Sequence, residues 1–107
     1  MKDLSDRAKA FEAEFKQKEE LEFRITARRN RLFGLWAASR LGLSAGEAAE
    51  TYARSVVAAD FQAPGDEDVI AKVRADLAEK GVHTSEAGLR AELDHAGIEA
   101  RRQLVGS

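Results

Sequence analysis

Three arginines, Arg24, Arg28 and Arg31, recur at i, i+4 and i+7, with Arg29 and Asn30 beside them. On a helix they share a face, and guanidinium groups there can hold phosphate or carboxylate oxygens two at a time. The chemistry on offer is a phosphate clamp or a dock for an acidic partner. The competing use is a solvated face paired with Glu20 and with the acids of the third helix. Leu32, Phe33, Trp36 and Tyr52 could stack on a nucleotide base, although aromatics at this spacing more often build a core. Phe11 and Phe15 lie one turn apart in a charged segment. Two such rings are costly to leave bare and suit a helix laid in a partner's groove, unless the segment folds back and covers them. Gly34, inside an apolar run, suits a close helix crossing or the approach of a ligand.

Other chemistries are weakly represented. Without cysteine there is no disulfide, thiolate metal site or cysteine nucleophile. His83 and His95 stand twelve residues apart without acids at ligand spacing, so they read as ordinary histidines and no metal site is expected. No Ser-His-Asp set, phosphate-cradling glycine loop or carboxylate pair stands out, and an enzyme is not expected. The 17 basic and 19 acidic residues leave a net charge of −2, which weighs against nucleic acid as a partner. No apolar run approaches the ~20 residues that cross a bilayer. The first residues carry no apolar signal core, so a cytoplasmic location without membrane insertion is expected.

The elements that must position these residues are helices. Strand-like alternation is missing, the only proline is Pro64, and glycines fall mostly where helices should stop, at Gly42, Gly46, Gly65 and Gly81. The first helix is predicted from Ser5 or Asp6, with Ser5 as N-cap, to Leu41. Its apolar residues recur at Leu4, Ala8, Phe11 and Phe15, then at Leu21, Ile25, Leu32 and Trp36. Lys18, Glu22 and Arg29 interrupt the seam, and Glu12–Lys16, Glu14–Lys18 and Glu20–Arg24 are placed to support the helix locally.

A capping box, Ser44-x-x-Glu47, predicts a second helix to about Phe61 with Ala48, Ala49, Tyr52, Ala53, Val56 and Val57 on its apolar face. The loop Gln62-Ala63-Pro64-Gly65 follows. A third helix opens on Asp66, Glu67 and Asp68, buries Val69, Ile70, Val73 and Leu77, and ends at Gly81. A fourth starts at Thr84 or Ser85 and places Leu89, Leu93, Ala96, Ala100 and Leu104 on one side. Gly88 and Gly97 interrupt it at roughly 1 kcal/mol each.

The expected fold is therefore all-α, a four-helix bundle with a long first helix. That helix would reach ~54 Å against ~22–30 Å for the others. About half must overhang, which divides the chain into a mobile N-terminal arm, 1–18, and a bundle, 19–107. Between Glu47 and Glu79 there are eight acids, while Arg24 to Gly46 holds five arginines and no acid. That asymmetry favours packing the first helix against the second and third.

The run Ala27-Arg28-Arg29-Asn30-Arg31-Leu32-Phe33-Gly34-Leu35-Trp36-Ala37-Ala38 resembles the signature of the bacterial ATP synthase inhibitor zeta-subunit family. Two further blocks are similar: Asp6-Arg7-x-Lys9-Ala10-Phe11-Glu12, and Tyr52-Ala53 through Val56-Val57 and Asp60-Phe61 to Pro64-Gly65-Asp66-Glu67-Asp68-Val69. The likeness reaches about Leu77.

The resemblance implies a four-helix bundle with a mobile N-terminal segment that inhibits ATP hydrolysis by the catalytic head of the F-type ATP synthase. That segment would enter a catalytic α/β interface beside the γ shaft and block rotation in the hydrolytic direction. By position, Phe11 and Phe15 would be apolar anchors, and Asp6, Arg7, Lys9 and Glu12 polar contacts. Arg24, Arg28, Arg29 and Arg31 would dock on an acidic subunit surface. The partners implied are the α, β and γ subunits, with the protein at the inner face of the membrane when bound and monomeric when free. The arm has no histidine, so it carries no acid-pH switch of that kind.

No cofactor is required on this reading. The alternative is a small helical regulator that senses ADP or ATP as a weak ligand, with phosphates on Arg24, Arg28, Arg29 or Arg31 and the base on Trp36 or Tyr52. A nucleic-acid-binding module would show steeply salt-dependent affinity, and the net charge opposes it.

Overall fold

The computed structural model describes residues 4–61 and 65–106, with side chains from Arg7 onward. Ser5, expected as the N-cap, already lies within the first helix, which includes Leu4; the side chains of Ser5 and Asp6 and the loop residues Gln62, Ala63 and Pro64 lie outside that description. The elements are α1 (Leu4–Arg40), α2 (Glu47–Ala59), α3 (Glu67–Glu79) and α4 (Glu86–Val105), and no strand occurs among the described residues. The fold is all-α with four helices, as the spacing predicts. Near the base of the overhang, α1 meets Phe61 after α2 through Phe23, Asp66 at the start of α3 through Arg29, and the last turns of α4 through the Glu22–Arg101 pair.

Helix ends follow local chemistry, with one correction. After α1, Gly42 takes a φ of 81°, and Leu43 donates its N–H to the Ala38 carbonyl at 2.9 Å. Gly81 closes α3 in the same way, with Val82 donating to Leu77 at 2.9 Å. In both, a left-handed glycine lets the chain fold back onto the last carbonyls. Ser85 caps α4, its hydroxyl accepting from the Gly88 N–H at 3.0 Å. The capping box expected at Ser44 does not form. Gly46 occupies the N-cap of α2 with a φ of 117° and no side-chain bond, so a glycine turn supplies the entry that a serine was expected to provide.

The core gathers Phe33 and Ala37 from α1, Val56 from α2, Val69, Ile70, Val73 and Leu77 from α3, and Leu89, Leu93 and Ala96 from α4. The α1 stripe differs from the one read in sequence. Its buried residues are Ile25, Asn30, Phe33, Gly34, Ala37 and Ala38, while Leu32 and Trp36 pack at the margin. The helix is flanked on several sides, so its buried arc is wide and centres about one residue beyond the expected stripe. α2 comes close at Gly34, where an added Cβ would stand 2.8 Å from the Ala53 Cα. Of the apolar residues expected on α2, Ala48 is exposed.

The molecule measures 66 × 25 × 22 Å. At 1.5 Å per residue, the 37 residues of α1 account for about 55 Å of that length. Every side chain from Arg7 to Glu20 is exposed, and burial begins at Leu21 and Ile25. The overhang inferred from helix lengths is present.

Candidate functional site: the exposed arm and the arginine segment

Residues 4–18 of the arm are helical and every side chain from Arg7 to Lys18 is exposed, so packing does not select them. Arg7, Lys9, Glu12 and Phe11 are exposed, and Phe11 and Phe15 retain 72% and 57% of their surface. One turn apart, the two rings share a face and line a shallow cleft of about 510 Å³ with Glu14, Gln17, Lys18 and Leu21. Burying one such ring against a partner is worth about 1.5–3 kcal/mol, so the pair is an energetic reserve that the isolated chain leaves unspent. The expected ion pairs Glu12–Lys16, Glu14–Lys18 and Glu20–Arg24 are not closed. At exposed sites such pairs contribute only tenths of a kcal/mol, and solvation competes with them.

The arginine segment begins at the arm's base, where its members diverge. Arg28 donates to the Gln103 side-chain oxygen of α4 at 2.6 Å. Arg29 reaches Asp66, at the start of α3, through two guanidinium nitrogens at 2.8 and 3.4 Å. Its Nε donates to the Asn30 side-chain oxygen at 3.1 Å. Arg31 pairs with Glu50 of α2 at 2.7 Å. Three arginines thus tie α1 to each of the other helices. Arg24 is exposed with no ion pair among the described residues. The four do not converge on one point where a phosphate would sit. Of the pairing expected with Glu20 and the acids of the third helix, only Arg29–Asp66 forms; Arg28 instead meets the neutral Gln103 of α4 and Arg31 meets Glu50 of α2.

Trp36 and Tyr52 are taken up in packing. The Trp36 ring stacks on Phe33 with centroids 5.7 Å apart, and the Arg40 guanidinium lies 5.5 Å from its centre. The Tyr52 hydroxyl donates to Asp76 at 2.8 Å, and the Lys72 ammonium lies 5.4 Å from the ring centre. Burial raises the Tyr52 phenol well above its ordinary range, and the bond to Asp76 and that carboxylate's charge push the same way. His83 and His95 are exposed. Among the described residues, no group of three or more potential metal ligands is assembled.

Four exposed side chains went unnoticed in sequence: Phe23, Phe61, Ile98 and Val105 retain 58%, 66%, 71% and 55% of their surface. Phe23 falls off the α1 stripe, and the other three sit near helix ends or beside polar residues, where periodicity says little. Only the tertiary arrangement groups them around the arm's base, where the Phe23 and Phe61 rings lie 5.9 Å apart.

A model of the family described as ATPase inhibitor subunit zeta matches residues 1–103. No curated protein matches the chain. No helix among the described residues is long and apolar enough to cross a membrane.

Proposed function

The chain belongs to the ATPase inhibitor subunit zeta family, and on that premise we propose that its arm is the inhibitory element acting on the F-type ATP synthase. Residues 1–18 enter a catalytic α/β interface of the head beside the γ subunit and block rotation in the hydrolytic direction. Residues 19–107 hold the arm in place. Phe11 and Phe15 are the apolar anchors, with Asp6, Arg7, Lys9 and Glu12 as polar contacts. In this reading the protein is a regulator that catalyses nothing itself, and it acts at the inner face of the membrane when bound.

The observation that carries the proposal is the exposure of Phe11 and Phe15 on a helix that projects beyond the bundle. An amphipathic helix with two apolar residues one turn apart is suited to insertion in a groove. Arg24 is the member of the basic segment best placed to meet an acidic subunit surface, since the other three already hold partners within the chain. The ADP- or ATP-sensing alternative has no comparable support, because Arg28, Arg29 and Arg31 hold partners on three different helices and Trp36 and Tyr52 are engaged in packing, which leaves Arg24 alone.

The test is ATP hydrolysis by the purified cognate head, titrated with the full chain and with a chain lacking residues 1–18. Inhibition by the first and none by the second is expected. Equal inhibition by both would move the function out of the arm.

A further inference from the structure

Among the described residues, the exposed large apolar side chains are Phe11, Phe15, Phe23, Phe61, Ile98 and Val105. The first two lie on the arm. The others belong to the end of the bundle from which it projects. Phe23 is on α1 just past the overhang, and Phe61 follows α2 and meets the Phe23 ring. Ile98 lines an open groove of about 710 Å³ between α1 and α4, together with Glu22, Ile25 and Arg29. Val105 ends α4, whose last turns are tied to α1 by Arg101–Glu22 and Arg28–Gln103. At the opposite pole, the turns after α1 and α3 expose no large apolar side chain.

The side of α1 that carries Phe11 and Phe15 runs into this region, with Lys18, Glu22 and Arg29 interrupting its apolar stripe. Phe11, Phe15, Lys18, Glu22, Ile25 and Arg29 follow a 4-3-4-3-4 spacing and share one side of α1. The last three line the α1–α4 groove. Clusters of exposed apolar side chains on a small protein mark interaction surfaces, whereas isolated ones need no explanation.

We propose that the end of the bundle around the arm's base is a second docking surface, a collar of Phe23, Phe61, Ile98 and Val105 that seats on the same catalytic head that receives the arm. This rests on the inhibitory reading above. The occupant follows from continuity, because a partner that takes the arm as far as Lys18 must come up against the residues surrounding its exit. Most of the cations nearby are already paired, Arg101 with Glu22 and Arg102 with Glu99. The collar therefore recognises an apolar surface on the head, with Arg24 as its unpaired charge.

The collar is tested with the full-length Phe61→Glu and Ile98→Glu variants, each adding a charge at an exposed position. Inhibition of ATP hydrolysis by the cognate head is titrated for each, alongside Ala48→Glu at the opposite pole. The half-inhibitory concentration is expected to rise at least about tenfold for the two collar variants and to stay unchanged for Ala48→Glu, with all three melting like the parent. Unchanged inhibition by both collar variants would overturn the collar and leave the arm's role intact. A parent chain that fails to inhibit would instead remove the inhibitory reading, and the collar with it. A parent that elutes as a dimer, split by the collar variants, would assign the surface to a second copy and overturn the proposal.

Discussion

Arg29 does three things with one side chain. Its stem covers Gly97 of α4 at 3.5 Å from where a Cβ would be, its Nε holds Asn30, and its guanidinium binds Asp66. Only 17% of its side chain is exposed, against 55% for Arg101, which bridges both oxygens of Glu22 from one nitrogen. Asp66 keeps 41% of its side chain exposed, so what truncating Arg29 removes is chiefly the packing of its stem on Gly97 and the bond to Asn30, with the ion pair adding less. Arg29→Ala should cost about 2 kcal/mol in urea unfolding, and Arg101→Ala under about 0.5 kcal/mol. Asn30 is 1% exposed, and its Nδ2 has no hydrogen-bond partner, so the Arg29 contact is what its side chain gains for burial.

Tyr52 gives a pH dependence with a defined sign. Its phenol is raised in the folded state, so the native protein keeps a proton that the unfolded chain loses near pH 10. The contribution is complete below that pH and falls as pH rises through it. Tyr52→Phe should flatten the alkaline limb of melting temperature against pH between about 9 and 11, which thermal scans across that range would read.

At the scale of elements, two glycines inside helices have opposite meanings. Gly34 lets α1 and α2 meet backbone to backbone, and a Cβ there would also lie 3.2 Å from the Ala53 and Val56 Cβ atoms. Gly34→Ala should destabilise by about 1–3 kcal/mol, despite the better helix propensity of alanine, because the helices must part. At Gly97 a Cβ would make ordinary contact with the Arg29 stem. Gly97→Ala should stabilise by about 0.5–1 kcal/mol, since it restrains the unfolded chain at no steric cost. Denaturant midpoints of the two variants should move in opposite directions.

α1 itself divides at about Leu21. Beyond it, packing reinforces the helix. Before it, the turns rest on local propensity, which is marginal for a segment of this length. Amide hydrogens of residues 7–20 should exchange far faster than those of residues 25–40, and a uniform rate along α1 would contradict that division.

On the scale of the whole molecule, the contacts Phe23–Phe61, Arg29–Asp66 and Glu22–Arg101 put the ends of α2 and α4 and the start of α3 around the point where the arm leaves. Three arginines of α1 bind those three helices, so the bundle is complete without residues 1–18. Removing them should leave the melting temperature within about 2 °C of the parent while abolishing inhibition. A large drop in melting temperature would mean that the arm contributes to the fold.

Much of this was legible in the amino-acid sequence. Four helices, the glycine stops at Gly42 and Gly81, the start of the fourth helix at Thr84 or Ser85 and the overhang of α1 depend on local conformation and on length, which sequence encodes directly. The zeta-subunit resemblance likewise rests on contiguous residues, and the family model covers the same stretch and more. Tertiary structure alone decided which arc of α1 is buried, because that arc depends on where three other helices lie. It set the separate partners of Arg28, Arg29 and Arg31, since residues sharing one helical face can reach different neighbours. Finally, it gathered Phe23, Phe61, Ile98 and Val105 around the arm, because residues scattered through the sequence become a surface only when the chain turns back on itself.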